Sequence, residues 1–185
     1  MLDMAELLAY CEPGDEPRQG LRLLINWLQV TPTPDVPGGL SSTFEFGLFL
    51  GDAPLFDRSA YAREDGPAAS LREGYFYGES EDCQILRDLR EVLATGRIAD
   101  IEDVSEPAIR LVIGRDILGR GKAGDGEPPD FFEMLVVVQA GGPWAGRIRG
   151  PNGPAVWLEV ERSALERFCD QLQAEAIRSR MESGN

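Results

Sequence analysis

The side chains able to do chemistry in this 185-residue chain are almost all carboxylates. Glu79, Glu81 and Asp82 fall together, as do Asp100, Glu102, Asp103 and Glu106. Two carboxylates held at a fixed separation can act as acid and base, or hold Mg²⁺. Nothing in these spacings fixes such a pair, and acids at a helix start complement its dipole. The chain has no histidine, which removes the Ser-His-Asp and Cys-His arrangements, His-ligated metals and the usual proton shuttle near neutral pH. Its one lysine, Lys122, stands in a glycine-rich stretch, whereas a nucleophilic lysine needs burial to lower its pKa.

Gly119–Gly124 (GRGKAG) matches G-x-G-x-x-G in form. A dinucleotide site needs a helix opening at that turn, and DGEPPD follows instead. Ala123 follows Lys122 where a phosphate-binding loop has Ser or Thr, so the stretch reads as a hairpin loop. Cys11, Cys83 and Cys169 are widely spaced without a C-x-x-C pair, so neither zinc nor redox chemistry is signalled. The expectation is a protein that is not an enzyme and has no metal site and no cofactor.

Recognition is the alternative use for these residues. Thirty-two acids against 18 bases give a net charge of −14. Such a field repels nucleic acid and anionic membranes and speeds encounter with basic partners. Acidity also serves solubility alone. Two aromatic positions qualify as interface anchors. In VWLEV, Val156, Leu158 and Val160 share one face, so Trp157 and Glu159 point the other way. Tyr75 and Tyr77 raise the same choice on the equivalent strand upstream, between a core residue and an exposed anchor. The expected partner-binding set is Glu79, Glu81, Asp82, Asp100, Glu102 and Asp103, with Tyr77 or Trp157 as aromatic anchor.

These residues need elements to position them. Asp3–Tyr10 reads as a short helix, ended by the Pro- and Gly-bearing CEPGDEPRQG. Alternating apolar residues mark strands over Leu21–Trp27 and Phe44–Leu50, separated by the proline-rich loop Thr31–Gly39. Gly51–Glu73 lacks a pattern, and Gly74–Tyr77 is a short aromatic strand. A helix follows, with Ser80 as N-cap, Ile85, Leu86, Leu89, Val92 and Leu93 on one face, and Gly96 at its end. Ile98–Val104 suits an edge strand, Ile109–Ile113 a strand, Gly114–Asp130 a loop, and the apolar Phe131–Val138 a central strand. Gly141–Gly153 is turn-rich and Val156–Val160 a strand. Ser163 and Glu166 form a capping box for a last helix that buries Leu165, Phe168, Cys169, Leu172 and Ala176, with residues 179–185 as a frayed tail.

The same order of elements occurs twice, over about 20–96 and 105–178. Leu21 and Ile109 are 88 residues apart (109 − 21), as are Phe44 and Phe132 (132 − 44). Neither unit alone could bury both its sheet and its helix, whereas two together could share one core. The expected fold is α+β: a single domain of mainly antiparallel sheet, built from two strand-strand-strand-helix units with two principal helices. Met1–Tyr10 has no basic start or long apolar run, so a cytosolic location is expected.

In the second half, Glu106-Pro107 precedes the strand Ile109–Ile113, the apolar strand Met134–Val138, the strand Val156–Val160, and a helix carrying Leu165, Phe168 and Leu172. Upstream, Leu86, Leu89 and Leu93 give an L-x-x-L-x-x-x-L helix. This order, over roughly Leu21–Ala176, resembles the immunity proteins of the wall-associated polymorphic toxin systems. The resemblance implies a small cytosolic protein that blocks a cognate toxin domain by binding it, and it brings no catalytic residues. An acidic inhibitor suits a basic, nuclease-like target. A structural or regulatory interaction module, including a homodimer built through a sheet edge, is the second reading of the chain's function, and a carboxylate-dependent enzyme or metal-binding protein the third.

Overall fold

A computed structural model of the chain describes residues 4–9, 20–32, 40–55, 75–81, 83–102, 109–119, 129–138 and 155–183. Nine strands and two helices lie among them. They are β1 (Ala5–Ala9), β2 (Leu21–Pro32), β3 (Leu40–Leu50), β4 (Ala53–Pro54), β5 (Tyr75–Glu81), α1 (Gln84–Thr95), β6 (Ala99–Glu102), β7 (Ile109–Gly114), β8 (Phe131–Val138), β9 (Ala155–Glu161) and α2 (Arg162–Ser183). The fold is α+β with antiparallel sheets.

Sheet A pairs β1 with β2, β2 with β3, and β3 with both β4 and β5. Sheet B runs β6-β7-β8-β9. Leaving aside the two-residue β4, each half is a four-stranded antiparallel meander followed by a helix. The registers coincide as well as the order. Leu21 faces Leu50 across β2–β3, and Ile109 faces Val138 across β7–β8, each position shifted by 88 residues (109 − 21, 138 − 50). Gly47 faces Tyr75 and Leu135 faces Trp157, which makes Tyr75 and Trp157 equivalent. Ala5 faces Ile25 and Ala99 faces Ile113, which makes β1 the counterpart of β6. The two-unit reading of the sequence therefore extends to one strand more per unit than the residue pattern suggested.

The helices cross over. α2 packs mainly on β2 and β1 of the first unit, while α1, which ends the first unit, packs mainly on α2 and on β6 of the second, with smaller contacts to β5 and β7. Trp27 Nε1 of β2 donates to the Leu172 carbonyl of α2 at 3.0 Å, and Arg162 Nη2 of α2 donates to the Leu93 carbonyl of α1 at 2.9 Å. One continuous core results, uniting Leu23, Ile25, Phe44 and Phe46 of sheet A, Leu111, Ile113, Phe132 and Met134 of sheet B, and the inner faces of both helices. A meander alone would leave one face of every strand in water, so each unit depends on the other's helix for its burial.

Several local expectations give way to tertiary structure. Residues 5–9 form a strand, not a helix: Ala5, Leu7 and Ala9 alternate inward and the backbone pairs with the free edge of β2. So short a segment gains little from helix formation, and pairing on an existing edge satisfies its amides. Ser80 is not the cap of α1. It continues β5, and its carbonyl accepts a hydrogen bond from the Ser42 hydroxyl at 2.7 Å. The cap position is Cys83, held at φ 48°, where the chain turns from strand into helix. At the other end Gly96, at φ 68°, closes α1 as expected, its amide bonding the Val92 carbonyl at 2.8 Å. The Ser163–Glu166 box is also replaced. β9 runs directly into α2, Arg162 donates from Nε to Glu166, and the Ser163 hydroxyl bonds Glu161. Finally α2 continues through Ser183, so most of the expected tail is helical.

Candidate interaction surface

Sheet B turns Ile101, Ile109, Leu111, Ile113, Met134, Val136, Leu158 and Val160 into the core. The alternating residues must face outward. The register aligns them in rows across the sheet: Asp100, Val112, Leu135 and Trp157 in one, and Glu102, Arg110, Val137 and Ala155 in the next. Three residues expected in the partner-binding set, Asp100, Glu102 and Trp157, are thus brought onto a single face. Val112, Leu135 and Trp157 are half-buried, an apolar row with acids at its β6 end and Glu159 beside Trp157 on β9.

The acids at the β6 end hold Arg110. Its Nε donates to Asp100 Oδ1 at 2.6 Å and lies 3.1 Å from Glu102 Oε1, while its Nη2 bonds Asp100 Oδ2. Asp100 does most to raise the Arg110 pKa above its ordinary value, with a smaller contribution from Glu102. Two carboxylates on one guanidinium leave the group with a net negative charge.

The other expected residues lie elsewhere. Glu79 is half-buried on β5, at the far edge of sheet A, opposite Thr43. Tyr77 and Glu81 also belong to β5, facing Glu45 and Ser41 in register, but their side chains lie outside the described residues. Asp82 and Asp103 lie outside them altogether, as do Lys122, Trp144 and Cys11. Among the described residues no group of three or more His, Cys, Asp or Glu side chains could hold a metal ion.

Sheet A has the same outer rows with a different finish. Glu6, Leu24, Gly47 and Tyr75 align across it, and Arg22 again bridges to the edge strand, donating to Glu6 at 2.5 Å. Here Leu24 (7% exposed), Phe49 (8%) and Tyr75 (7%) close into a second apolar cluster with Met4. Phe49 and Tyr75 pack with their rings tilted by 53° and 5.3 Å between centroids, and the Tyr75 hydroxyl reaches Met4 Sδ at 3.6 Å. Tyr75 is therefore a buried packing residue, and its counterpart Trp157 is the more accessible of the two.

Sequence reasoning missed three buried acids, an equivalent pair and a lone one. Glu45 and Glu133 are equivalent, 88 residues apart (133 − 45), and both are buried. Glu45 accepts from Asn26 Nδ2 and Glu133 from the Leu118 amide, each at 3.1 Å. Glu175 lies on the core side of α2, beside Leu172 and Ala176, where helical spacing alone calls for an apolar residue. The thiol of Cys169, six residues earlier on α2 (175 − 169), is pushed up to about 11 by burial, so it packs as a small apolar group.

No helix among the described residues is long and apolar enough to cross a membrane. No family model matches this chain, and neither does any curated protein or solved structure.

Proposed function

We propose that this protein is a non-catalytic binder of the immunity type, which neutralises a basic, nuclease-like toxin domain in the cytosol by occluding it. The outer face of sheet B is its recognition surface. The observation that carries this reading is the half-buried row Val112–Leu135–Trp157, flanked by Asp100, Glu102 and Glu159, on a chain of net charge −14. An apolar centre with a charged rim is the arrangement protein interfaces use, with aromatic anchors supplying most of the affinity. The surrounding negative field speeds capture of a basic partner and is screened by salt.

Co-expression with a toxin domain encoded beside this protein tests the reading directly. Rescue of growth by the wild type, and its loss in Trp157→Ala with the fold intact, is the expected result. No rescue from any adjacent toxin candidate would remove the proposal. A homodimer that buries Trp157, detected by sedimentation, would replace it with self-association.

A further inference from the structure

Among the described residues, Glu175 is a buried acid without the hydrogen bond that Glu45 and Glu133 each have. Its residue is 7% exposed, and neither carboxylate oxygen has a hydrogen-bond partner. It projects from α2 toward the end of the β1–β2 ladder. The Ala5 and Trp27 amides lie beside it without reaching hydrogen-bond geometry. Trp27 is itself the last regular pair before the irregularity at Trp27/Gln29 in β2, and its indole N–H holds the Leu172 carbonyl of α2. The carboxyl, the indole bond and the bulge thus meet at one helix–sheet contact.

The charged groups of the surrounding elements are mostly committed elsewhere. Glu6, the only charged residue of β1, pairs with Arg22, the only one of β2. On α1, Arg90 bonds Asp170 and Gln173, and Arg87 bonds Asp88, while Glu91 is exposed. On α2, Arg162 pairs with Glu166, and Arg167, Arg180 and Asp170 are exposed. Arg178, less than one turn beyond Glu175, is near enough to favour the charged form but is exposed and cannot neutralise a buried carboxylate.

We propose that the seating of α2 on sheet A is controlled by a proton on Glu175: the helix docks with the carboxyl neutral, and ionisation loosens its second half from β1 and β2. Burial pushes this carboxyl up from 4.5 to about 7, against the opposing pull of the Trp27 and Ala5 amides and Arg178. The chain has no histidine. No imidazole is therefore present to titrate in this range, and Glu175 is the described group placed to give a transition near neutral pH. The loosened state has α2 mobile on the side of the molecule away from the outer face of sheet B, so the device does not depend on the proposed partner surface.

The test follows the Glu175 carboxyl ¹³C signal and the Trp27 indole N–H signal of the full chain by NMR from pH 5 to 8, in the wild type and in Glu175→Gln. The expected result is that both signals titrate together near neutral pH in the wild type. The Trp27 signal should stay constant in Glu175→Gln, which keeps the shape and removes the charge. A Glu175 carboxyl that titrates below pH 5.5, or a Trp27 signal that moves equally in both proteins, overturns the proposal. Should Glu175→Gln fail to fold, the wild-type carboxyl titration alone decides the question.

Discussion

The two units of this protein share their inner faces almost position for position and part company on their outer faces. Leu23, Ile25, Phe44 and Phe46 of sheet A stand where Leu111, Ile113, Phe132 and Met134 stand in sheet B, all in one core. The diagonal Arg22–Glu6 contact recurs as Arg110–Asp100. Yet Tyr75 is sealed into a second apolar cluster while its counterpart Trp157 is half-buried. The inner faces are bound together because each unit's helix covers the other unit's strands, so a change on one side must fit the other. The outer faces carry no such mutual constraint, and they are where two copies of one scaffold can acquire different uses.

Truncating the equivalent aromatics tests the shared core most severely. Phe44→Ala and Phe132→Ala should each cost about 3–5 kcal/mol, in a single cooperative urea transition. Two separate transitions in either variant would mean that the halves fold independently.

Glu175 breaks the symmetry of the two helices, and its effect is next in size. A carboxyl raised in the folded state adds stability that is complete below the unfolded pKa and declines as pH rises toward the folded value. The window runs from about pH 4.5 to about 7. Across it the wild type should lose stability relative to Glu175→Gln, on the order of 1–2 kcal/mol once solvent screening is allowed for, read from urea midpoints at several pH values.

Gly78 faces Phe44 where Val160 faces Phe132. A Cβ on Gly78 would come within 2.4 Å of the buried Phe44 ring, so Gly78→Ala should cost about 1–3 kcal/mol by thermal denaturation. Removing the outer aromatics should separate stability from binding. Tyr75→Ala should lower the melting temperature, while Trp157→Ala should weaken partner binding by about 2 kcal/mol in calorimetry. The smallest effect belongs to the paired ion contacts. Glu6→Gln and Asp100→Asn should each change stability by about 0–1 kcal/mol, since both pairs are partly solvated.

Much of this architecture was legible in the residues. Leu21–Trp27 and Phe44–Leu50 show their alternation without help, and the 88-residue offset of Leu21/Ile109 reappears in the hydrogen-bonded register. Ile85, Leu89, Val92 and Leu93 form the buried face of α1 as their spacing indicates. The site was less legible. Asp100, Glu102 and Trp157 are far apart in sequence, and only strand order puts them on one face, while Glu79 ends at the far edge of the other sheet. Nothing near Asp100 in sequence announces that Arg110 will hold it.

By itself, then, the sequence determined which residues alternate or recur with a helix's period, where glycine can close a helix, and that no imidazole is present to titrate. Those are properties of neighbouring residues and of composition. Tertiary structure alone decided that residues 5–9 would join an edge as a strand, that each helix would cover the opposite unit, and that Glu175 would be enclosed. These outcomes depend on which surfaces gain most by leaving water together, a sum taken over segments distant in the chain, which no local pattern contains.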